Sequence, residues 1–296
     1  MSISQLESPM KNHTEGLLSV HSAVLIFGLT ALFSKLIALS AIEITLLRAV
    51  FAIIAIAIYI KYREESLKLD NKHDYLIALL LGFFLATHWI TYFHAMQVSS
   101  IAIGIIALYT YPVITVFLEP FFHGDRPRIK DILSAIVVLF GIYLLVPEFA
   151  IDNQTAIGVF WGILSAFMFA MRNIIHGRYF KSYPARHALL YQTLAVIILL
   201  MPFSGQVIPE VSQTQWLQLV VLGIFFTAVP HTLFANSLLH LKAKTVSLIA
   251  CIQVVYGTIF AALFLTEIPG WSTIAGGLIV ISAAVYETMT SHRQKR

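Results

Sequence analysis

The sequence predicts an all-α integral membrane protein in which ten transmembrane helices form two inverted five-helix repeats. Three observations predict this fold: the apolar composition, the restriction of basic residues to one side, and a constant offset between the two halves. Hydrophobic residues make up 58% of the chain, charged residues only 11%, and the mean hydropathy is +0.83. Soluble domains carry about 25% charged residues, so most of the surface is expected to face lipid.

Ten apolar segments have the length and composition of membrane-crossing helices. A hydrocarbon core of about 30 Å needs roughly 20 helical residues at about 1.5 Å each. Within lipid the backbone has to satisfy its own hydrogen bonds, and the continuous apolar runs lack the alternation of barrel strands, so helices are expected. The predicted segments are residues 18–39, 42–60, 75–96, 101–122, 131–146, 156–177, 187–203, 214–239, 245–266 and 271–289.

The first segment is interpreted as a membrane span and not as a cleaved secretory signal. Its apolar run from Ser19 to Leu39 is long enough to cross the bilayer. Its removal would also leave an odd number of spans and break the repeat of the chain. The polar residues 1–17 before it are expected to form a loose cytoplasmic tail.

Lysine and arginine lie on only one side of these segments. Three of the 19 basic residues, Lys35, Arg48 and Arg172, lie inside segments; the other 16 fall in the two tails and in every second gap. The remaining gaps hold acids, among them Glu148 and Glu267. Basic residues beside membrane spans stay on the cytoplasmic face, so both termini are expected in the cytoplasm.

The second half of the chain repeats the first at an offset of 142 residues. At this offset Phe83 meets Phe225, Asp125 meets Glu267, and several further residues coincide. Each copy contains five segments, an odd number, so the two copies must cross the membrane in opposite directions. The predicted units are a first repeat over 18–146, a second, inverted repeat over 156–290, and a basic cytoplasmic tail over 291–296.

Short motifs in both halves are shared with a known family. The third segment carries His88-Trp89-Ile90-Thr91-Tyr92-Phe93-His94-Ala95-Met96, followed by Ser99-Ser100 and then Tyr111-Pro112-Val113. An acid precedes a glycine-containing helix in each half, from Asp125 to Gly141 and from Glu267 to Gly276-Gly277. With Lys35 and Arg48, these features resemble the ten-helix branch of the drug/metabolite transporter superfamily, built from two EamA-type repeats, over about residues 18–290.

The resemblance implies a secondary carrier whose helices one, three, four, six, eight and nine surround a central cavity. It implies alternating-access movement of an amino acid or related metabolite, with export as the expected direction, across the inner membrane of a bacterium. The expected partners are the small-molecule substrate and the lipid bilayer. Proton coupling stays an open alternative, no cofactor or nucleic acid is expected, and the assembly is a monomer or homodimer.

The third and eighth segments supply the first candidate substrate-binding residues: His88, Trp89, Tyr92 and His231. His88 and Tyr92 share one face at helical spacing near mid-depth. They would contact a polar or aromatic solute, or else hold the bundle together through hydrogen bonds between helices. His231 is the repeat counterpart of Trp89, and the preceding Pro230 removes a backbone hydrogen bond and loosens the helix.

The fourth and ninth segments supply four more substrate-binding candidates: Tyr109, Tyr111, Gln253 and Tyr256. Gln253 and Tyr256 share a helix face by their spacing of three residues. Tyrosines in this number suit contacts with a substrate ammonium group or ring. Packing between helices is the alternative role.

Four charged residues inside the segments are candidates for coupling or gating: Lys35, Arg48, Glu119 and Arg172. A charge near a helix end can reach the interface through its flexible stem, which is the simple explanation for the three cations. A cation that faced the cavity would instead pair with an anionic group such as a substrate carboxylate. Glu119 is the candidate for proton coupling or gating, with an interfacial position as its alternative.

Other classes of function receive less support from the sequence. It carries no phosphate-binding loop signature, no histidine–acid cluster of the kind that binds metal and no nucleophile elbow. The single cysteine, Cys251, excludes an internal disulfide. An integral-membrane enzyme acting on a lipid or small metabolite is the alternative to a carrier, and a channel or scaffold is a third interpretation.

Overall fold

The computed structural model describes residues 3–123, 129–145, 153–180, 182–203, 211–241, 246 and 249–291, and these are helical apart from short connections. They form ten consecutive spans. These are α1 (Ile3–Thr30, continued by Phe33–Leu36), α2 (Ala41–Tyr62), α3 (Lys72–Val98), α4 (Ile101–Leu108 and Tyr111–His123), α5 (Ile129–Leu145), α6 (Gln154–Tyr179), α7 (Ala185–Leu200), α8 (Gln213–Gly223, Ile224–Ala228 and Val229–His240), α9 (Ile252–Leu265) and α10 (Trp271–Ser291).

The ten spans agree with the predicted apolar segments. Seven are long and apolar enough to cross a membrane, and α5, α9 and α10 contain shorter apolar helices. Because the described chain contains helices where apolar runs were found and no strands, the prediction of an all-α, ten-helix membrane protein is confirmed.

The N-terminal residues differ from the sequence prediction. Residues 3–17 were expected to be a loose tail, but they belong to the continuous helix Ile3–Thr30. Pro9 and Gly16 lie within this helix and do not end it. Several residues used in the sequence analysis lie outside the described ranges: Asp125, Arg126, Arg128, Glu148, Asp152, Lys181, Glu210, Lys242, Lys244 and the tail 292–296.

The packing of the spans follows the two-fold repeat. Helix n of the first repeat corresponds to helix n + 5 of the second. Accordingly, α3 packs on α6 as α8 packs on α1, α4 packs on α6 as α9 packs on α1, and α3 packs on α7 as α8 packs on α2. The contacting pairs α2–α7, α4–α9 and α5–α10 each consist of two corresponding helices. The main contacts therefore keep their pattern when α1–α5 are exchanged with α6–α10, as expected for inverted repeats.

Two glycines allow equivalent helices to approach closely. A Cβ atom added to Gly82 on α3 would lie 2.9 Å from the carbonyl oxygen of Gln192 on α7. One added to Gly223 on α8 would lie 2.7 Å from the carbonyl oxygen of Arg48 and 2.5 Å from Cβ of Phe51, both on α2. The contact of α3 with α7 and the contact of α8 with α2 are therefore both close crossings at a glycine, as in helix packing through small residues.

Gly223→Ala is expected to destabilise the protein by about 1–3 kcal/mol, because the added methyl group meets backbone and Cβ atoms that cannot easily move. The measurement is the thermal unfolding temperature of the purified protein in detergent. The matched control is Gly177→Ala on α6, where an added Cβ meets nothing within 4 Å. Equal losses in both variants would contradict the close crossing of α2 and α8.

Candidate functional site

Two helices are interrupted at equivalent positions near the middle of the bundle. In α4 the helix stops at Leu108 and resumes at Tyr111, and the N–H of Thr110 bonds to the oxygen of Ala107, three residues back. In α9 the N–H of Val254 likewise bonds to the oxygen of Cys251, the repeat counterpart of Tyr109. Interrupted helices at the centre of the membrane are typical of transporter binding sites.

Tyr109 joins the two interruptions. Its buried hydroxyl donates to the carbonyl oxygen of Ala250 at the start of α9 and lies 3.1 Å from Oε1 of Gln253. A helix interruption leaves carbonyl groups without their usual partners, and an unpaired carbonyl inside lipid costs free energy. The Tyr109 hydroxyl therefore fixes α4 to α9 and orients the amide of Gln253.

His88 is held by a reciprocal pair of hydrogen bonds to α6. The Ser165 hydroxyl donates to the carbonyl oxygen of His88 at 3.0 Å, and Nδ1 of His88 lies 2.8 Å from the same hydroxyl oxygen. Since that hydroxyl proton is already used, Nδ1 carries the ring proton and Nε2 is left as an acceptor. The ring stacks on Phe169 at 4.7 Å and on Tyr92 at 6.0 Å between ring centres.

His231 lies opposite, on the irregular part of α8. A π-helical turn, Ile224–Ala228, precedes Pro230, whose missing N–H would otherwise bond to the oxygen of Phe226. The hydroxyl oxygen of Thr30 on α1 lies 3.2 Å from that oxygen and 2.9 Å from the oxygen of Ile26 on its own helix, so its one proton is shared between the two carbonyls. Nδ1 of His231 lies 2.6 Å from the oxygen of Thr227, and its ring centre lies 6.1 Å from that of Trp89, its repeat counterpart.

Arg48 reaches the same region from α2 and is only 2% exposed. Its guanidinium carbon lies 4.0 Å from the ring centre of Trp89 and 4.9 Å from that of Phe93. Its Nε and Nη1 atoms have no hydrogen-bond partner among the residues that the structure describes. The same is true of the buried hydroxyl of Thr45, whereas the hydroxyl of Tyr92 lies beside the side chain of Gln253.

Arg172 on α6 is half-buried, and two of its donors are used. Nε donates to Oε1 of Gln192 at 2.8 Å, and Nη1 donates to Oδ1 of Asn173 at 3.1 Å. Arg48 and Arg172 both lie close enough to His88 and His231 to act on these rings electrostatically. The centre therefore has two cations, and of these Arg172 is the one that donates to side-chain amides among the described residues.

A polar contact between the repeats closes one end of the bundle, the end at which residues 63–71 and 182–184 lie. We call it the basic-end clasp: Glu65, Asp74, Tyr183, Arg186 and His187. Arg186 donates from Nε to Glu65 at 2.6 Å and from Nη2 to the other carboxylate oxygen, and Tyr183 donates to Asp74. The Arg186 guanidinium holds the pKa of Glu65 below its usual range.

A second contact closes the opposite end. We call it the acidic-end clasp: Lys35, Gln97, Ser99, Ile101 and Glu267. Nζ of Lys35 donates to the oxygens of Ser99 at 3.0 Å and Gln97 at 3.2 Å, and lies 3.8 Å from Glu267. Glu267 also accepts from the N–H of Ile101 at 2.9 Å. Glu267 belongs to the second repeat and the other members to the first, so this clasp also joins the two halves.

Most of the predicted site residues come together in one region of buried and half-buried side chains. We call this the central cluster: Arg48, His88, Trp89, Tyr92, Tyr109, Tyr111, Arg172, His231 and Gln253. Tyr111 contacts the ring of Phe169 at 4.9 Å between ring centres, and Phe169 also stacks on His88. Ser165, Phe169 and Thr45 were not singled out from the sequence; a serine in the middle of an apolar helix was the available signal for the first of them.

Three predicted residues lie elsewhere. Tyr256 stacks on Phe260 and packs against the cluster that contains Val20 and Val24, so it does not share the environment of Gln253. Lys35 belongs to the acidic-end clasp. Glu119 is half-buried on α4 and lies eight residues beyond Tyr111, which corresponds to about 12 Å along a helix.

The chain matches the EamA-like transporter family twice, over residues 14–146 and 156–287. A solved crystal structure superposes with a TM-score of 0.65 at 17% identity and covers 96% of this chain and 100% of that one, which supports the fold. The two matched ranges agree with the two predicted repeats.

Curated relatives of similar length are transporters. An uncharacterised transporter of Bacillus subtilis is 24% identical, with 84% of this chain and 83% of the relative covered. The pseudopaline exporter of Pseudomonas aeruginosa is 26% identical, with 83% and 86% covered, and solute carrier family 35 member G1 of Homo sapiens is 23% identical, with 91% and 78% covered. With family matches over both halves of its sequence, this chain is a membrane protein that belongs to the EamA-like transporter family.

Proposed function

We propose that the protein is a secondary carrier that moves an amino acid or related small metabolite out of the cell by alternating access. The observation that most supports this function is a buried polar cluster between two inverted repeats, with a polar clasp toward each end of the bundle. A carrier needs a central site that is open to one side at a time. Two separate clasps provide the two barriers that such a cycle has to open in turn.

The clasps are weak enough to open and close during a transport cycle. Their ion pairs are partly exposed: side-chain exposure is 23% for Glu65 and 30% for Arg186, and 25% for Glu267 and 26% for Lys35. Ion pairs at this exposure contribute about 0–1 kcal/mol each. Thermal motion or a bound solute can therefore shift the balance between states in which one clasp is open.

The proposed orientation has both termini and the basic-end clasp in the cytoplasm of a bacterium. The support is the one-sided distribution of basic residues, which follows the positive-inside rule. Outward transport is supported by the relationship to an exporter of Pseudomonas aeruginosa. The inner membrane is the corresponding location, since the chain is a multi-pass protein with bacterial transporter relatives.

Purified protein in liposomes is expected to show saturable counterflow of at least one amino acid or related metabolite. A carrier exchanges solute through one central site, so an excess of unlabelled solute inside should accelerate entry of labelled solute. The measurement is radiolabelled uptake with and without internal solute, with protein-free liposomes as the control. Flux that rises linearly with concentration and shows no counterflow would contradict the carrier function.

Tyr109→Phe is expected to destabilise the protein by about 1–3 kcal/mol and to raise the KM of counterflow. The substitution leaves the Ala250 carbonyl without its donor and frees the amide of Gln253. The measurements are thermal unfolding in detergent and the concentration dependence of counterflow. Tyr59→Phe, at a position 43% exposed on α2, is the matched control; equal behaviour of the two variants would contradict a role for the Tyr109 hydroxyl.

Glu65→Gln is expected to increase hydrogen exchange of residues 63–71 by up to about fivefold, because it removes the charge that pairs with Arg186. The measurement is amide exchange followed by mass spectrometry. Glu64→Gln, at the neighbouring exposed acid, is the control.

The same measurement in the wild type, corrected for the intrinsic exchange rate, should be unchanged from about pH 8 to about pH 5. Since the pKa of Glu65 is lowered, its stabilisation is present above the ordinary carboxyl pKa and is lost only as pH falls through the lowered value. Because His187 also contacts Glu65, the measurement is repeated in His187→Gln. An opening of this segment between pH 7 and pH 5 that persists in that variant would refute the assignment of the clasp to a charged Glu65.

A further inference from the structure

We propose that Arg48 binds a carboxylate of the transported solute, which makes the substrates small carboxylate-bearing metabolites. This inference rests on the proposed carrier function and names the chemical class that the carrier takes. Arg48 is 2% exposed, lies within a membrane span, and leaves Nε and Nη1 without acceptors among the described residues. An unpaired buried cation is costly, and the cost is removed when an anion binds it.

The chain itself supplies no acid to Arg48 within the described ranges. The ion pairs found there involve Lys35, Arg186, His187 and His240, and Arg48 is in none of them. Trp89 and Phe93 stabilise its positive charge through their ring faces. Ring faces are only weak acceptors for N–H groups, so the hydrogen-bonding capacity of the guanidinium remains available.

A second arginine of the same region shows how the chain can satisfy a guanidinium. The side-chain oxygen of Gln192 on α7 accepts from Nε of Arg172, and Asn173 takes a second donor of Arg172. Arg48 has no such amide partner among the described residues.

A carboxylate matches the unused donors of Arg48 in charge and in hydrogen-bond geometry. A planar guanidinium presents parallel N–H groups that match the two oxygens of a carboxylate. One guanidinium balances the single charge of a carboxylate inside the membrane.

The test compares acids with their uncharged analogues on the purified protein in detergent. The probes are the twenty proteinogenic L-amino acids, each beside its α-carboxamide, with binding measured by thermal shift and then by equilibrium titration. The amide keeps the size and the side chain of the acid but removes the anion. We expect acids to bind and the matching amides to bind at least about tenfold more weakly.

Variants locate the effect at Arg48. Arg48→Gln should weaken binding of the acid by at least about tenfold and remove the preference for acid over amide. Arg48→Lys keeps the charge but not the planar guanidinium, so its affinity for the acid should lie between those of the wild type and Arg48→Gln. Lys130 is an exposed cation at the start of α5, away from the centre. Lys130→Gln therefore removes the same charge elsewhere and should bind the acid with the affinity of the wild type.

Several results would overturn the proposal. It fails if no acid binds, if the amides bind as well as the acids, or if Arg48→Gln binds the acid with unchanged affinity. If Arg48→Gln does not fold, the comparison of acids with amides on the wild-type protein still tests whether a carboxylate is required for binding. Two results separate this proposal from the carrier function. Saturable counterflow of an uncharged solute that survives in Arg48→Gln would remove the role of Arg48 but leave the carrier function. Binding of an acid without counterflow of any solute would remove the carrier function but leave the role of Arg48.

Discussion

The constraint on which this structure depends is that polar groups inside a lipid bilayer must find partners within the chain. Breaks in two helices are met by hydroxyl groups of another helix. The hydroxyl of Tyr109 serves the carbonyl of Ala250 at the start of α9, and the hydroxyl of Thr30 serves the carbonyl that Pro230 leaves free in α8. Because both repairs come from the opposite repeat, the irregular segments also hold the two halves together.

One exception to this constraint is the main argument for function. Two nitrogens of the buried Arg48 guanidinium have no hydrogen-bond partner among the described residues, whereas the other buried atoms in that position belong to neutral side chains or to His187 at the basic-end clasp. Arg172, in contrast, donates to two side-chain amides of the same interior. The incomplete pairing of Arg48 is thus a local feature, and a solute that brings its own acceptor would complete it.

The two-fold repeat accounts for the arrangement of barriers as well as the position of the site. Helices at equivalent positions cross at Gly82 and Gly223, so the halves approach closely behind the centre. Toward the ends they are joined by partly exposed ion pairs, Glu65 with Arg186 and Lys35 with Glu267. Tight apolar crossings resist separation, whereas exposed ion pairs exchange readily with water, and this difference allows the ends to open while the middle stays assembled.

Hydropathy, charge and spacing predict the ten spans, the repeat and the shared helix face of His88 and Tyr92, because these local properties decide how a segment enters the bilayer. The repeat also predicts Trp89 and His231 as counterparts, and in the structure their ring centres lie 6.1 Å apart. The partners of the polar groups come from the tertiary structure. Of the two positions left open for Arg48, the structure shows the one inside the bundle, on Trp89; Tyr256 faces α1, and Ser165 is the partner of His88. These outcomes depend on contacts between helices far apart in the chain, which no local pattern specifies.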